Sequence, residues 1–193
     1  MTSEVEKILA GSGALLKGHF LLNSGLHSPV YWEKFRILQY AGYTEKFCKM
    51  IADHFRHDQV QVVAGPTTGG IILAYEVGRQ LGIRGIFAEK EDGGERAFRR
   101  GFHIVPGERV LIVDDVLTSG KSVREVIGAV EKLKGNIIGI GVLVFRAEQE
   151  LDLGYPFFYC YRSPEVAYQP DKCPLCAQSI PLVKPGGIKS QQG

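Results

Sequence analysis

From about residue 41 onward, short apolar runs alternate with segments of helical period. Residues 41–56 place Phe47, Met50, Ile51 and Phe55 on one side, which predicts a helix. Residues 60–64 form a short β-branched strand, followed by a loop at 65–70 and a helix over 71–81. A second strand is predicted at 85–88, a third at 110–113, a helix at 122–134 and a fourth strand at 137–145. The strands at 60–64, 110–113 and 137–145 are nearly all apolar, as strands covered by helices on both faces are. Residues 89–101 are charged and glycine-rich without an apolar period, which predicts a mobile loop. The strand–loop–helix rhythm predicts an α/β fold with a mainly parallel central sheet flanked by helices and right-handed crossovers. Ahead of it, residues 3–16 read as a short helix, and residues 20–22 and 30–32 as a small hairpin that caps the main domain. From Asp171 the chain is rich in Pro, Gly and Lys, which predicts an irregular, frayed end. The expected organisation is an N-terminal segment at 1–40, a core at 41–170 and a tail at 171–193, within one compact domain.

Composition narrows the function classes. The chain of 193 residues suits one domain, and a hydrophobic fraction of 45% supplies a real core. A net charge of +2, from 23 basic and 21 acidic side chains, lacks the concentrated basic character of a nucleic-acid binder. It leaves room for a small anionic substrate. The N-terminus carries no signal-peptide pattern and the apolar runs are strand-length, so a cytoplasmic protein with neither a nucleic-acid nor a membrane partner is expected. The 24 glycines cluster at loop positions, as tight phosphate-binding turns require.

Two of those loops carry candidate chemistry. The strand at 110–113 delivers Asp114 and Asp115 to its carboxyl end, where ligands of parallel α/β sheets bind. Two carboxylates exposed at a cleft accept hydrogen bonds from vicinal ribose hydroxyls and sit well beside a hydrated magnesium ion. Thr118, Ser119, Gly120, Lys121 and Ser122 then enter a helix, so that hydroxyls, backbone N–H groups and a free helix N-terminus form a phosphate cradle. The bland alternative is a turn with a serine cap at Ser119 or Ser122. A nucleoside-triphosphate P-loop fits poorly, because its upstream glycine position is occupied by Asp115. The second loop, with Pro66, Thr67, Thr68, Gly69 and Gly70, offers hydroxyls and a helix N-terminus suited to a diphosphate. A sugar phosphorylated at one end and diphosphorylated at the other fits the pair.

These motifs resemble the type I phosphoribosyltransferases, and among them the orotate phosphoribosyltransferases, across roughly residues 15–150. The run from Asp114 to Ser122 carries the superfamily likeness. The orotate branch is indicated by residues 20–32 (FLLNSGLHSPVYW), similar to that family's N-terminal hood, by residues 87–90 (FAEK), and by residues 141–146 (GVLVFR). The tail from Cys173 to Cys176 (CPLC) resembles that of a variant prokaryotic branch. The resemblance implies the type I fold with its small hood. It implies a magnesium-dependent reaction between orotate and 5-phosphoribosyl 1-diphosphate, and a homodimer whose mobile loop reaches the neighbouring site. Carried over by position, Thr118, Ser119, Gly120, Lys121 and Ser122 hold the 5-phosphate, and Asp114 and Asp115 the ribose hydroxyls. Residues 65–70 meet the diphosphate, and Tyr31, Trp32 and Arg146 frame the base. No protein side chain is assigned as a dedicated magnesium ligand, the ion being held mainly through substrate and water near Asp114 and Asp115.

The sequence departs from that pattern in two places. Gly69 stands where the family commonly has a lysine, and Glu89 replaces the first basic residue of the mobile loop. Lys90 matches the second basic position, and Arg96, Arg99 and Arg100 are further candidates, with Lys90 and Arg100 favoured as the catalytic cations. Two alternatives share the 110–122 loop: a transferase for another nucleobase, and a regulator that keeps the pocket without turnover. His27 and His103 are candidate bases whose simpler reading is structural. Cys173 and Cys176 form half of a metal site that lacks two ligands, with Cys160 the other cysteine nearby and a symmetric partner chain another source; free thiols are the competing reading.

Overall fold

The computed structural model describes residues 4–22, 24–147, 149–164 and 166–185. Asn23 of the hood, the first three residues and the last eight of the expected tail lie outside them. A short helix α1 (Glu4–Ser12) precedes a two-stranded antiparallel hairpin, β1 (Leu15–Leu21) and β2 (His27–Trp32). Then follow α2 (Phe35–Leu38), α3 (Ala41–His54), β3 (Val62–Pro66), α4 (Gly69–Leu81), β4 (Arg84–Lys90) and β5 (Arg96–Phe98). The chain continues through β6 (Arg109–Leu117), α5 (Lys121–Lys132), β7 (Asn136–Phe145), β8 (Phe157–Arg162) and α6 (Pro174–Ala177). The main sheet has the order β5-β4-β3-β6-β7-β8 and is parallel except for β5. The expected α/β fold with a mainly parallel sheet is therefore present.

Both faces of the sheet are covered, which is why its central strands lack polar alternation. On β6, Leu111 and Val113 enter one core with Phe47, Ile51, Leu73 and Val77 of α3 and α4. Val110 and Ile112 enter the other, with Val123, Val126, Ile127 and Val130 of α5. Those four residues recur at the spacing of a single helix face, and burying each stabilises the fold by about 1.5–3 kcal/mol.

Several boundaries differ from the sequence expectation. Helix α1 ends at Ser12 rather than 16, because the Ser12 hydroxyl turns back to the Leu9 carbonyl while accepting the Ala14 N–H, and Leu15 starts a strand. The hairpin is accordingly longer than expected. Helix α4 starts at Gly69, so the expected six-residue loop shrinks to Thr67 and Thr68, whose connecting peptide is cis. The segment read as a mobile loop instead forms a β4–β5 hairpin, closed where the Glu91 N–H bonds the Glu95 carbonyl and the Gly94 N–H the Glu91 carbonyl. Its strand was illegible because the residue it buries is an arginine, Arg96. Strand β8 has partly exposed side chains and was not anticipated. As far as residue 185 the tail is not frayed: it packs on the hairpin through paired backbone bonds between His27 and Tyr168 and between residues 19–21 and Val183. Among the described residues no helix is long and apolar enough to cross a membrane.

Candidate active site

Strands β3 and β6 are parallel neighbours, so their carboxyl ends bring the two loops together. Beyond β6, Gly120 adopts a left-handed backbone (φ 75°), the conformation that glycine takes without strain, and caps the start of α5. Thr118, Ser119 and Lys121 are exposed there. The helix starts one residue earlier than expected, and the Ser119 hydroxyl accepts the N–H of its first residue, Lys121, at 3.4 Å. Free N–H groups at the start of α4 and α5 thus face the same edge of the sheet, a ready arrangement for two anionic groups.

The start of α4 comes close to the end of β6. A β-carbon on Gly69 would stand 1.8 Å from Asp115 Oδ2. Only a residue without a side chain lets that carboxylate lie against the start of α4. This accounts for glycine at a position where the resembled family commonly has lysine. A cation stands against the same carboxylate from the hood side. Lys34 Nζ lies 2.9 Å from Asp115 Oδ2 and 3.1 Å from Oδ1. Burial alone would depress the Lys34 ammonium, but the Asp115 charge and hydrogen bond outweigh it and the net shift is upward.

The acidic pair differs from expectation in being buried rather than exposed: Asp114 is 4% and Asp115 3% accessible. Their strand runs on to Leu117, so both belong to the sheet and not to the loop after it. The cost of burial is offset by named partners. Asp114 Oδ1 accepts the Asp115 N–H at 2.8 Å and Oδ2 accepts the Ser122 hydroxyl at 2.6 Å. Asp115 Oδ1 accepts the Val116 N–H at 2.7 Å. Desolvation, and then the neighbouring Asp115 charge, push the Asp114 carboxyl up to about 7.

The remaining candidates separate. Tyr31 is half-buried on β2, and the charges of Glu33, Lys34, Arg146 and Asp115 all act on its phenol, which burial pushes upward. Trp32, the next residue of the strand, projects to the other side, as alternation requires. It is buried with Val5, Ile8 and Leu9 of α1, and its indole N–H donates to the Ser163 hydroxyl at 3.3 Å. Trp32 therefore does not frame the base, and it is corrected to a core anchor. Arg146 is buried just past β7, where its N–H donates to the Leu117 carbonyl and closes the ends of β6 and β7.

Lys90 and Arg100 do not converge within the chain. Arg100 forms a two-pronged pair with Glu89, at 2.9 and 3.0 Å, whereas Lys90 is exposed and projects to the opposite face of β4. Arg99 pairs with Glu91. The arginine that reaches the expected diphosphate loop is Arg96. Its buried guanidinium donates to Thr67 Oγ1 at 2.9 Å and to the Ala88 carbonyl at 3.0 Å, and pairs with Glu125 at 3.0 Å. Lys34 was missed altogether. The signal available was a lone cation two residues beyond Trp32 in a chain whose acidic pair needs a counter-charge. His103 is exposed beside the Gly101 carbonyl, away from the acidic pair.

Two helix N-termini and a buried acidic pair at one edge of a parallel sheet suit a ligand that carries anionic groups at both ends. The model of the phosphoribosyl transferase domain matches residues 39–175, and the chain belongs to that family. The chain is 49% identical to the orotate phosphoribosyltransferase of Pelotomaculum thermopropionicum, covering 96% of this chain and 97% of that one. It is 50% identical to the orotate phosphoribosyltransferase of Caldanaerobacter subterraneus subsp. tengcongensis over 90% of both. The solved orotate phosphoribosyltransferase of Aeropyrum pernix, 24% identical, superposes with a TM-score of 0.69 over 82% of this chain and 93% of that one, and shares the fold.

Proposed function

We propose that this chain transfers the 5-phosphoribosyl group of 5-phosphoribosyl 1-diphosphate to orotate, giving orotidine 5-phosphate and diphosphate in pyrimidine nucleotide synthesis. The observation that carries the reading is the close approach of Gly69, the first residue of α4, to Asp115 near the end of β6, which sets the helix start expected to meet the diphosphate beside the acidic pair. The names of the close relatives favour orotate as the acceptor. Thr118, Ser119, Gly120, Lys121 and Ser122 receive the 5-phosphate, and Asp114 and Asp115 accept from the ribose hydroxyls. Pro66, Thr67, Thr68, Gly69 and Gly70 face the diphosphate, with Arg96 holding Thr67 in place. The C1–oxygen bond breaks with its electron pair passing to the diphosphate as the C1–nitrogen bond to the base forms, and the proton of that ring nitrogen leaves to the diphosphate or to water. Arg146 supplies a guanidinium that matches a flat anionic base, and Tyr31 an aromatic edge beside it.

Magnesium fits this donor set. Asp115 Oδ2 is buried and accepts no hydrogen bond, and the Lys34 ammonium stands 2.9 Å from it. Because Lys34 already offsets that charge, the ion is held chiefly by the substrate and water, beside Asp114 and Asp115. When bound, magnesium neutralises the charge that develops on the leaving diphosphate. A homodimer completes the proposal. Exposed Tyr75 lines a groove with Leu38, Gln39 and Ile72, and Phe35 and Tyr40, close to it in the chain, are exposed as well, the kind of apolar surface that subunit contacts cover. Exposed Lys90, with Arg100, then serves the neighbouring site, and sedimentation velocity tests the assembly.

The deciding assay follows diphosphate release from the sugar donor and magnesium with orotate, uracil or hypoxanthine supplied separately. Release with orotate, abolished by a chelator, is expected. Release with another base would reassign the acceptor. Donor binding without turnover of any base would make the chain a regulator.

A further inference from the structure

Away from the active site, four side chains converge where the tail meets the hood. His19 of β1, His27 of β2, and Cys173 and Cys176 around α6 each present one ligand atom, and these atoms all lie within 4.8 Å of one another. His19 Nε2 is 2.9 Å from His27 Nδ1, 3.5 Å from Cys173 Sγ and 3.8 Å from Cys176 Sγ. Cys176 Sγ is 3.3 Å from His27 Nδ1. A tetrahedron with zinc–nitrogen bonds of about 2.0–2.1 Å and zinc–sulfur bonds of about 2.3 Å has edges of roughly 3.3–3.8 Å. The cluster already has nearly that size and shape.

We infer that His19, His27, Cys173 and Cys176 form a structural zinc site that fastens the C-terminal tail to the hood. Three observations converge on it. The donor set is two thiols and two imidazoles, the combination that selects zinc in a closed four-ligand site. His19 Nδ1 lies 2.7 Å from the Ile180 carbonyl, which only accepts, so Nδ1 carries the proton and the Nε2 lone pair points into the cluster. This is the outer hydrogen bond by which a metal-bound histidine is oriented. The backbone around the cluster is fixed: His27 and Tyr168 exchange both N–H bonds, and the Val183 N–H bonds the His19 carbonyl.

The site escapes a reading of the sequence because its two halves are far apart in the chain. The C-x-x-C pair is visible, but the histidines lack the short spacing of a zinc finger. The hairpin brings them together instead, with a shift in strand pairing between Lys17 and Phe20 beside His19. Four protein ligands leave no open position, so the role is structural. The ion would tie residues 173–176 to the same hairpin that carries Tyr31 and ends just before Lys34.

The test uses the full chain, purified under reducing conditions. Elemental analysis should find about one zinc per chain. After chelation, added cobalt(II) should give the intense visible absorption of a tetrahedral thiolate-bound ion. The double variant Cys173→Ser, Cys176→Ser should lose both signals, and Cys160→Ser should keep them. Should the double variant not fold, the cobalt spectrum of the unaltered chain still decides. Absence of that spectrum with both thiols reduced would overturn the inference. So would a Cys173–Cys176 disulfide in the metal-free protein as purified.

Discussion

Gly69→Ala perturbs the close approach of the start of α4 to Asp115 on β6. The added methyl would stand 1.8 Å from Asp115 Oδ2 and 2.9 Å from Asp115 Cγ. Ordinary contact distances are about 3.5 Å, so the carboxylate must move by roughly 1.5 Å or more. That displacement breaks its contact with Lys34 and moves it from the place where a ribose hydroxyl would donate. A hydrogen bond to a charged group contributes about 1.5–3 kcal/mol, and each 1.4 kcal/mol is about tenfold in rate. The expected loss in kcat/KM for the sugar diphosphate is therefore about 10- to 100-fold, with a stability loss of about 1–3 kcal/mol from overpacking. Steady-state kinetics with varied donor and urea unfolding measure the two effects. Gly128→Ala is the control: nothing lies within 4 Å of its added methyl, and mid-helix alanine should stabilise by about 0.5–1 kcal/mol without altering kinetics. Unaltered donor kinetics in soluble, folded Gly69→Ala would refute the contact's role.

Two further predictions follow from buried charge. Asp114 is raised from 3.8 to about 7 by burial and then by Asp115. Its stabilising contribution is thus fully present below about pH 4 and is lost as pH rises through about 7. Asp114→Asn cannot ionise, so its melting temperature relative to wild type should climb between pH 4.5 and 8, about the range of that titration; a constant difference would contradict the assignment. Arg96→Met breaks a buried pair and frees Thr67, so urea unfolding should show a loss of about 3–5 kcal/mol, with a raised KM for the donor. A loss below about 1 kcal/mol would show that Arg96 does not organise the loop.

The sequence made the centre of the sheet legible, because β3, β6 and β7 are covered on both faces and so carry unbroken apolar runs. It located the acidic pair and both loops, because strand–glycine–helix transitions are local patterns. What it hid depends on long-range pairing or on compensation. Lys34 and Arg96 look like surface cations until the chain folds and sets one against the buried Asp115 and the other against the half-buried Glu125. Tyr31 and Trp32 are adjacent letters, yet strand alternation sends one to the site and the other into the core beside α1. The tail reads as irregular because what orders it lies on the hood, more than a hundred residues away.

On the proposed function, the acidic pair on β6 holds a ribose while its diphosphate leaves and orotate takes its place. Formation of orotidine 5-phosphate by wild type and by Asp115→Asn, with magnesium and the diphosphorylated sugar at saturation, tests it most directly. The expected result is product from wild type and a loss of at least about 100-fold in the variant, since the neutral amide ends both the pairing with Lys34 and the charge-assisted hydrogen bond to the ribose. No product from wild type, or equal rates in the two proteins, would contradict it.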